Sequence, residues 1–323
     1  MKKREFDWIK DSRSLLPKGR WFTEFFSAGE MHAHRLKKVL ASSSTAFQDA
    51  VMVESDAFGK ILVIDSETQS SEKDEFIYHE ALAVPPLLLH RDPRSVLVMG
   101  GGEGATAREF LNCRGVRSVV MADIDHKILR FAREHMQSWH RGAFEDPRLR
   151  LLVQDARLPV LESRRRFDII CSDLPSPIEG GPAFKLYTLE FYRRLKARLS
   201  PGGAFVTQAG PGLPSQFGLH AALAATLRRV FRCVFSYSAF IPSYDMPWTF
   251  LFCSDSPGLD PLGPCARELD RRARARLSRS PLFADGQAVE GMFRTPAYYR
   301  ETMRKNRRII TERSPMYFTT SQG

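Results

Sequence analysis

Four acids carry the chemistry open to this sequence: Glu103, Asp123, Asp155 and Asp173. Glu103 lies inside a glycine turn, Val96-Leu-Val-Met-Gly-Gly-Gly-Glu-Gly-Ala-Thr-Ala-Arg108, where a short apolar run breaks at Gly100 to Gly102 and restarts as a helical segment. Such a turn lets a ligand approach bare backbone at a helix N-terminus, which already favours anions. A carboxylate in that place repels phosphate and attracts a cation. Asp123 follows about twenty residues later, the spacing at which an acid accepts hydrogen bonds from ribose hydroxyls. Asp155-Ala156, one strand further on, can meet an adenine amino group through carboxylate or backbone. The turn offers no lysine to a phosphate. These residues describe a nucleoside with a positively charged tail.

Adenosine joined to a sulfonium answers that description. S-adenosylmethionine carries a carboxylate on its tail, whereas its decarboxylated form ends in an ammonium alone. At about 4 Å and an effective dielectric near 20, each like-charge contact costs roughly 4 kcal/mol before screening. With Glu103 and Asp173 facing the tail, the decarboxylated donor is expected.

The elements that must position these acids read as alternating strands and helices. Strands are predicted over 95–99, 118–122, 149–153, 167–171 and 204–208, with a final pair over 234–241 and 249–253. Helices are predicted over 105–112, 126–136, 186–199 and 219–231. Such alternation implies a doubly wound sheet with helices on both faces, its ligands beyond the carboxyl ends of the strands. Each of the four acids falls at or just beyond such an end. Before this unit, period-two segments between Trp21 and Ile64 read as antiparallel hairpins, followed by a helix over 70–89. Three units are expected: a β-hairpin domain over 1–69, whose first 19 residues form a charged arm, a catalytic domain over 70–255, and a basic helical extension over 256–323.

Composition bounds the rest. The 323 residues are 43% hydrophobic, with no apolar run long enough for a transmembrane helix, and because Glu5, Asp7 and Trp8 follow Met1-Lys-Lys-Arg, no signal peptide is expected. Five scattered cysteines read as reduced residues of a cytoplasmic protein. The net charge of +11 raises nucleic acid as a partner. Much of the excess sits in 267–279 and 300–308 without a base-stacking aromatic pattern, so a solvated helix face is the preferred reading. His32 and His34 share a strand face but lack an evident third ligand, so no metal site is expected.

Several segments, in order over residues 21–255, resemble the polyamine aminopropyltransferases, the family of spermidine, spermine and thermospermine synthases. They include Phe47-Gln-Asp, Phe58-Gly-Lys-Ile-Leu-Val-Ile-Asp, Asp74-Glu-Phe-Ile-Tyr-His-Glu, the Gly100-Gly-Gly-Glu-Gly turn and Ala122-Asp-Ile-Asp. Asp155-Ala, Asp173-Leu-Pro-Ser-Pro-Ile-Glu-Gly-Gly-Pro182, Leu186-Tyr-Thr and Phe205-Val-Thr-Gln-Ala-Gly-Pro211 continue the series. The glutamate form of the turn and the two proline-ended loops are most similar to the thermospermine synthase branch. The resemblance implies a Rossmann-like α/β fold of the class I methyltransferase type, with a small N-terminal antiparallel β domain. It implies transfer of an aminopropyl group from decarboxylated S-adenosylmethionine, a co-substrate, to a polyamine, with no resident cofactor. It also implies a homo-oligomer, dimer or tetramer.

Roles follow from the same resemblance. Gln48, Gly100, Gly102, Asp123, Asp155, Ala156 and Pro182 would hold the donor. Glu103 and His79 would hold amine groups, Tyr78 and Tyr244 would shape the acceptor channel, and Trp21, with Trp248, would cover an apolar stem. Asp173 would be the catalytic acid. Ser176 departs from the pattern: spermidine synthases and most of the thermospermine branch carry a second aspartate there. Its loss removes an anion that a small diamine would use, which turns the expectation toward a longer or less charged acceptor. Three rivals share parts of this pattern: a methyltransferase using intact S-adenosylmethionine, a nucleic-acid-binding protein, and a polyamine sensor without turnover.

Overall fold

The computed structural model describes residues 18–27, 29–179 and 181–318, so residues 1–17 of the expected arm lie outside the described residues. The alternating segments form five strands, β1 (Arg20–Ser27), β2 (Glu30–Ser44), β3 (Asp49–Ser55), β4 (Gly59–Ile64) and β5 (Glu67–Ser71), paired antiparallel in sequence order. β1 and β5 are the two edges of this sheet. Even so, the backbone N–H of Thr68 in β5 donates to Glu24 Oε1 in β1 at 3.2 Å. The sheet curls until its edges meet.

The first helix, α1 (Glu75–Leu89), starts at Glu75 rather than at the expected residue 70. Ser70 and Ser71 instead belong to β5 and pair with Leu62 and Ile61 of β4. That ladder uses the backbone groups a helix would need. α1 then passes through Pro85 and Pro86 to Leu89. Prolines cost helix hydrogen bonds, but Ala81 to Leu89 are buried without a break, and that apolar burial offsets the loss.

The second sheet contains β6 (Ser95–Gly100), β7 (Ser118–Asp123), β8 (Leu149–Val153), β9 (Phe167–Asp173), β10 (Leu199–Pro211), β11 (Cys233–Ile241) and β12 (Met246–Ser254). Their order is β11-β12-β10-β9-β6-β7-β8, with β12 antiparallel to both neighbours and β10 to β8 parallel. The connecting helices are α2 (Ala105–Leu111), α3 (His126–His135), α4 (Gln137–His140), α5 (Leu158–Leu161), α6 (Leu189–Lys196) and α7 (Gly218–Leu227). Side chains alternate across the sheet. Val96 and Val98 pack with Leu82 of α1 and Phe110 of α2, while Leu97 and Met99 pack with Phe191 of α6 and Leu223 of α7. Burial on both faces is why these strands read as continuous apolar runs. The chain winds outward from β6 through β7 to β8, then crosses back to β9 on the other side of β6. That reversal opens a crevice beyond the carboxyl ends of β6 and β9.

The basic C-terminal segment forms α8 (Ala266–Arg276), α9 (Gly286–Met292) and α10 (Ala297–Lys305). Its charge is only partly a solvated face. Arg276 Nη1 donates to the carbonyls of Leu87 and Leu88 at 2.8 and 3.0 Å, and Arg272 Nη1 to that of Leu88 at 3.1 Å. These carbonyls end α1, where helix groups lack internal partners and the dipole favours cations. Glu80 in α1 accepts the backbone N–H groups of Leu282, Phe283 and Ala284 at 2.7–2.9 Å. The extension is thus clamped to the helix that also serves the site. Among the described residues, no helix is long and apolar enough to cross a membrane.

Candidate active site

The concave side of the curled sheet faces the crevice, and between them lies a cavity of about 530 Å³. The two sheets are joined where Met52 and Leu62 pack against Ile128, Phe131 and Trp139, with Trp139 Nε1 donating to Ser70 Oγ at 2.8 Å. Gly100, Gly102, Glu103, Asp123, Asp155, Ala156, Asp173 and Ser176 line the cavity from the crevice; Gln48, Tyr78, Tyr244 and Trp248 also line it.

The glycine turn owes its shape to backbone proximity. Gly100 has φ +79°, and a Cβ there would lie 2.2 Å from the Asp173 carbonyl oxygen, so the position excludes every side chain. The Gly101 N–H donates to that same carbonyl at 3.0 Å, tying the turn to the end of β9. Gly102 has its space closed by Asp123 Oδ2 and Ile128 Cγ2, each 3.0 Å from a Cβ built there.

Each acid of the crevice is held by its own partners. Tyr78 Oη donates to Asp173 Oδ1 at 2.8 Å and Thr106 Oγ1 to Oδ2 at 2.6 Å. Burial and the Asp173 carboxylate push the Tyr78 phenol well above its usual range, so it stays a neutral donor. The Asp125 N–H donates to Asp123 Oδ1 at 2.9 Å. Burial, reinforced by Asp125 and Asp173, nevertheless raises Asp123 to about 6. Asp155 is paired with Arg157 at 2.6 Å; burial raises its pKa, but the arginine outweighs it and the net shift is downward. Gln48 reaches from the loop before β3 and donates through Nε2 to Asp125 Oδ2 at 3.3 Å.

His79 corrects one expectation. It is buried and does not line the cavity. Its Nε2 bonds Glu103 Oε1, and its Nδ1 faces Glu75 Oε2 at 2.8 Å, leaving no ring nitrogen for an amine. Burial opposes the imidazolium, but Glu103 and Glu75 outweigh it and hold the ring well above its ordinary pKa. Glu75 is raised by burial and carried down to about 2 by His79 and Arg108; the Arg108 guanidinium bonds it at 2.8 and 3.0 Å. Glu103 is raised by burial, against the pull of His79. Its Oε2 is buried without a hydrogen-bond partner. His79 therefore orients Glu103, and of the two only Glu103 lines the cavity.

Trp21 is a second correction, because it does not line the cavity. Alternation along β1 puts residues 22, 24 and 26 on the face opposite to residues 21, 23 and 25. Glu24 and Phe26 are the buried, cavity-lining pair, while Phe25 is 49% exposed. Trp248 does line the cavity, and its ring meets Tyr244 edge-on with centroids 5.1 Å apart. Tyr244 is fixed through its hydroxyl, which donates to the Gln69 carbonyl. Pro182 begins a 3-10 turn (Pro182–Tyr187), but its side chain lies outside the described residues. His32 packs on Phe26 and His34 against Phe58. Among the described residues, no three His, Cys, Asp or Glu side chains stand close enough to hold a metal ion.

Sequence reasoning missed Glu24, Glu67, Gln69, Thr106 and Phe318, all but Thr106 in the cavity lining. Thr106 had a signal, its place in the first turn of the helix that follows the glycines. Phe318 had none: its N–H donates to the Pro177 carbonyl at 2.6 Å, which holds it against the loop after β9.

Comparison with known proteins agrees with this geometry. Residues 75–260 match the spermine/spermidine synthase domain, and residues 20–72 match the spermidine synthase tetramerisation domain. The chain belongs to the spermine/spermidine synthase family. Within it, the chain is 42% identical over 299 residues to polyamine aminopropyltransferase 2 of Hyperthermus butylicus, covering 92% of this chain and 97% of that one. It is 39% identical over 300 residues to the polyamine aminopropyltransferase of Aeropyrum pernix, covering 93% and 95%. The crystal structure of a spermidine synthase in complex with the transition-state analogue AdoDATO superposes with a TM-score of 0.81 at 25% identity, covering 90% of this chain and 97% of that one.

Proposed function

We propose that this member of the spermine/spermidine synthase family moves the 3-aminopropyl group of decarboxylated S-adenosylmethionine to a polyamine and releases methylthioadenosine. The observation that carries the reading is Glu103. One carboxylate oxygen is fixed by His79 and the other is buried, unpartnered and beside Asp173 in one cavity. A buried carboxylate oxygen without a hydrogen-bond donor is costly until one arrives. The ammonium tail of the decarboxylated donor supplies that hydrogen bond, and the tail carboxylate of intact S-adenosylmethionine would be repelled.

Asp123 takes the ribose hydroxyls, Asp155 and Ala156 the adenine edge, and Gln48 the thioadenosine part. The acceptor amine arrives mostly protonated, since alkyl ammonium groups titrate near 10. Asp173, its oxygens aimed by Tyr78 and Thr106, binds the ammonium and accepts or relays one proton. The freed lone pair attacks the carbon next to sulfur, the carbon–sulfur bond breaks, and its electrons leave with methylthioadenosine. Tyr244 and Trp248 cover the apolar stem of the acceptor. Ser176 offers a hydrogen bond but no charge, so the second charge of the acceptor must be met elsewhere.

The test is incubation with each sulfonium donor against a panel of amines, with products identified by mass. Methylthioadenosine and an amine heavier by one aminopropyl group are expected from the decarboxylated donor. S-adenosylhomocysteine from the intact donor would overturn the reading in favour of methyl transfer. We further propose a homo-oligomer, a tetramer on the description of the domain matched by residues 20–72. Phe25 and Met31, cross-strand partners on β1 and β2, are 49% and 40% exposed and supply apolar surface for such contact. We read the compartment as cytoplasmic because all five cysteines are free.

A further inference from the structure

After α10 the chain is anchored step by step toward the cavity. Ile310 is buried between α6 and α7: its N–H donates to Thr226 Oγ1 at 2.9 Å, and its carbonyl accepts the Leu189 N–H at 2.8 Å. Thr311 and Ser314 then exchange backbone hydrogen bonds at 3.2 and 3.1 Å, which turns the chain. Arg308 Nη2 donates to the Pro315 carbonyl at 2.9 Å and holds that turn. Within it, the Glu312 N–H donates to Glu190 Oε2 at 3.1 Å, and the Glu312 carboxylate lies within electrostatic reach of Arg157, the partner of Asp155. Tyr317 meets Phe184 edge-on with ring centroids 6.1 Å apart, and the Phe318 N–H donates to the Pro177 carbonyl. The segment thus runs from the neighbourhood of Asp155 to the loop after β9.

Phe318 itself lines the cavity and is half-buried. It packs, with Leu174 and Met316, against the apolar cluster that includes Ala156 and Ala183, and both alanines line the cavity as well. The contact of Tyr317 with Phe184 brings their chain neighbours, Phe318 and Ala183, to the same stretch of wall. The two alanines offer only methyl groups there. A purine presents a broad apolar face, and an aromatic side chain matches it in area where a methyl group does not. Among the described residues, no hydrogen bond or ring contact links 311–318 to Tyr78, Tyr244 or Trp248, the aromatic residues assigned to the acceptor.

Resting on the function proposed above, we propose that Phe318 is a donor-binding residue, whose side chain closes the nucleoside end of the cavity beside Asp155 and Ala156 and holds the thioadenosine part of the donor. The C-terminal segment is then part of the site rather than a covering on the catalytic domain. Its anchors at Ile310, Glu312 and Pro177 fix where the ring lies, and the ring acts on the nucleoside, away from the attacking amine.

The test compares wild type with Phe318→Ala and Phe318→Leu, by calorimetric titration with methylthioadenosine and by steady-state kinetics. Loss of an aromatic face from a base sets the expected scale: in Phe318→Ala, methylthioadenosine binding weakens about tenfold and the donor KM rises about tenfold. Phe318→Leu, which keeps an apolar side chain, should return both to within about threefold of wild type. The kcat and the acceptor KM should stay within about twofold. Unchanged methylthioadenosine affinity overturns the proposal, and so do equal rises in donor and acceptor KM, which would make Phe318 a support for the loop alone. If Phe318→Ala does not fold, amide exchange in the wild-type chain decides: bound methylthioadenosine should slow exchange of the Phe318 N–H by about fivefold or more, and equal rates overturn the proposal. Binding is read without turnover, so the function reading fails separately if methylthioadenosine binds through Phe318 yet no donor and amine release it. A wild-type chain that does not bind methylthioadenosine overturns both.

Discussion

The two walls of the cavity treat their acids differently. On the crevice wall, Asp173 takes Tyr78 and Thr106, Asp155 takes Arg157, and Glu103 takes His79, each at hydrogen-bond distance. Behind them runs a buried ionic chain from Glu103 through His79 and Glu75 to Arg108. On the facing wall, Glu24 has one backbone N–H and Glu67 has no partner. The first wall is oriented before any ligand arrives, as in-line transfer requires, because misplacement of a reacting group is costly in rate. The second leaves the Glu67 carboxylate without a hydrogen bond or ion pair among the described residues.

Substitutions can break this contrast, starting with the largest effect. Asp173→Asn should lower kcat by about 10²- to 10⁴-fold with the donor KM little changed, measured by methylthioadenosine release. Activity within tenfold of wild type would move the proton-accepting role elsewhere. Glu103→Gln should weaken decarboxylated donor binding by about 10- to 100-fold and narrow its preference over intact S-adenosylmethionine, read by competition titration. A preserved donor preference would remove Glu103 from the selection of the tail. Thr106→Val deletes one of two donors to Asp173 and should lower kcat roughly tenfold while leaving both KM values alone.

Titration separates Glu75, in the ionic chain behind the crevice wall, from Glu24 in sign. The Glu75 pKa is held at about 2, below its unfolded value, so its contribution is present above pH about 4.3 and lost as pH falls through 2. The Glu24 pKa stands at about 7, above its unfolded value, so its contribution is present below pH about 4.3 and lost as pH rises through 7. Urea melts should show Glu75→Gln losing its disadvantage to wild type between pH 4 and 2. Glu24→Gln should gain on wild type between pH 4.5 and 7, by about 1–3 kcal/mol. Parallel slopes in the two variants would erase the distinction between Glu75 and Glu24.

The crevice wall was largely legible in the sequence. Glycines between an apolar run and a helical start, with acids at successive strand ends, are local signals that fix where the strands stop. Gly100, Gly102, Glu103, Asp123, Asp155, Ala156, Asp173 and Ser176 accordingly meet in one cavity. Local signals could not show what those residues touch. His79 lies one residue after Tyr78 in the same motif, yet Tyr78 faces the cavity and His79 the buried Glu75. Trp21 was misplaced by strand parity, a one-residue matter that turns a side chain to the other face.

The opposite wall was not legible. Glu24 and Glu67 are more than forty residues apart and belong to the two edges of their sheet, with nothing local to suggest that they face each other. Only the curl that brings Thr68 onto Glu24 makes them neighbours. By itself the sequence determined the alternating elements and the acids at their ends, because hydrophobic period and glycine conformation act over a few residues. The tertiary structure alone decided which oxygens are spent on protein partners and which remain for a ligand. That division depends on sheet closure and strand parity, and burial sets its energetic weight by making every unpartnered charge costly.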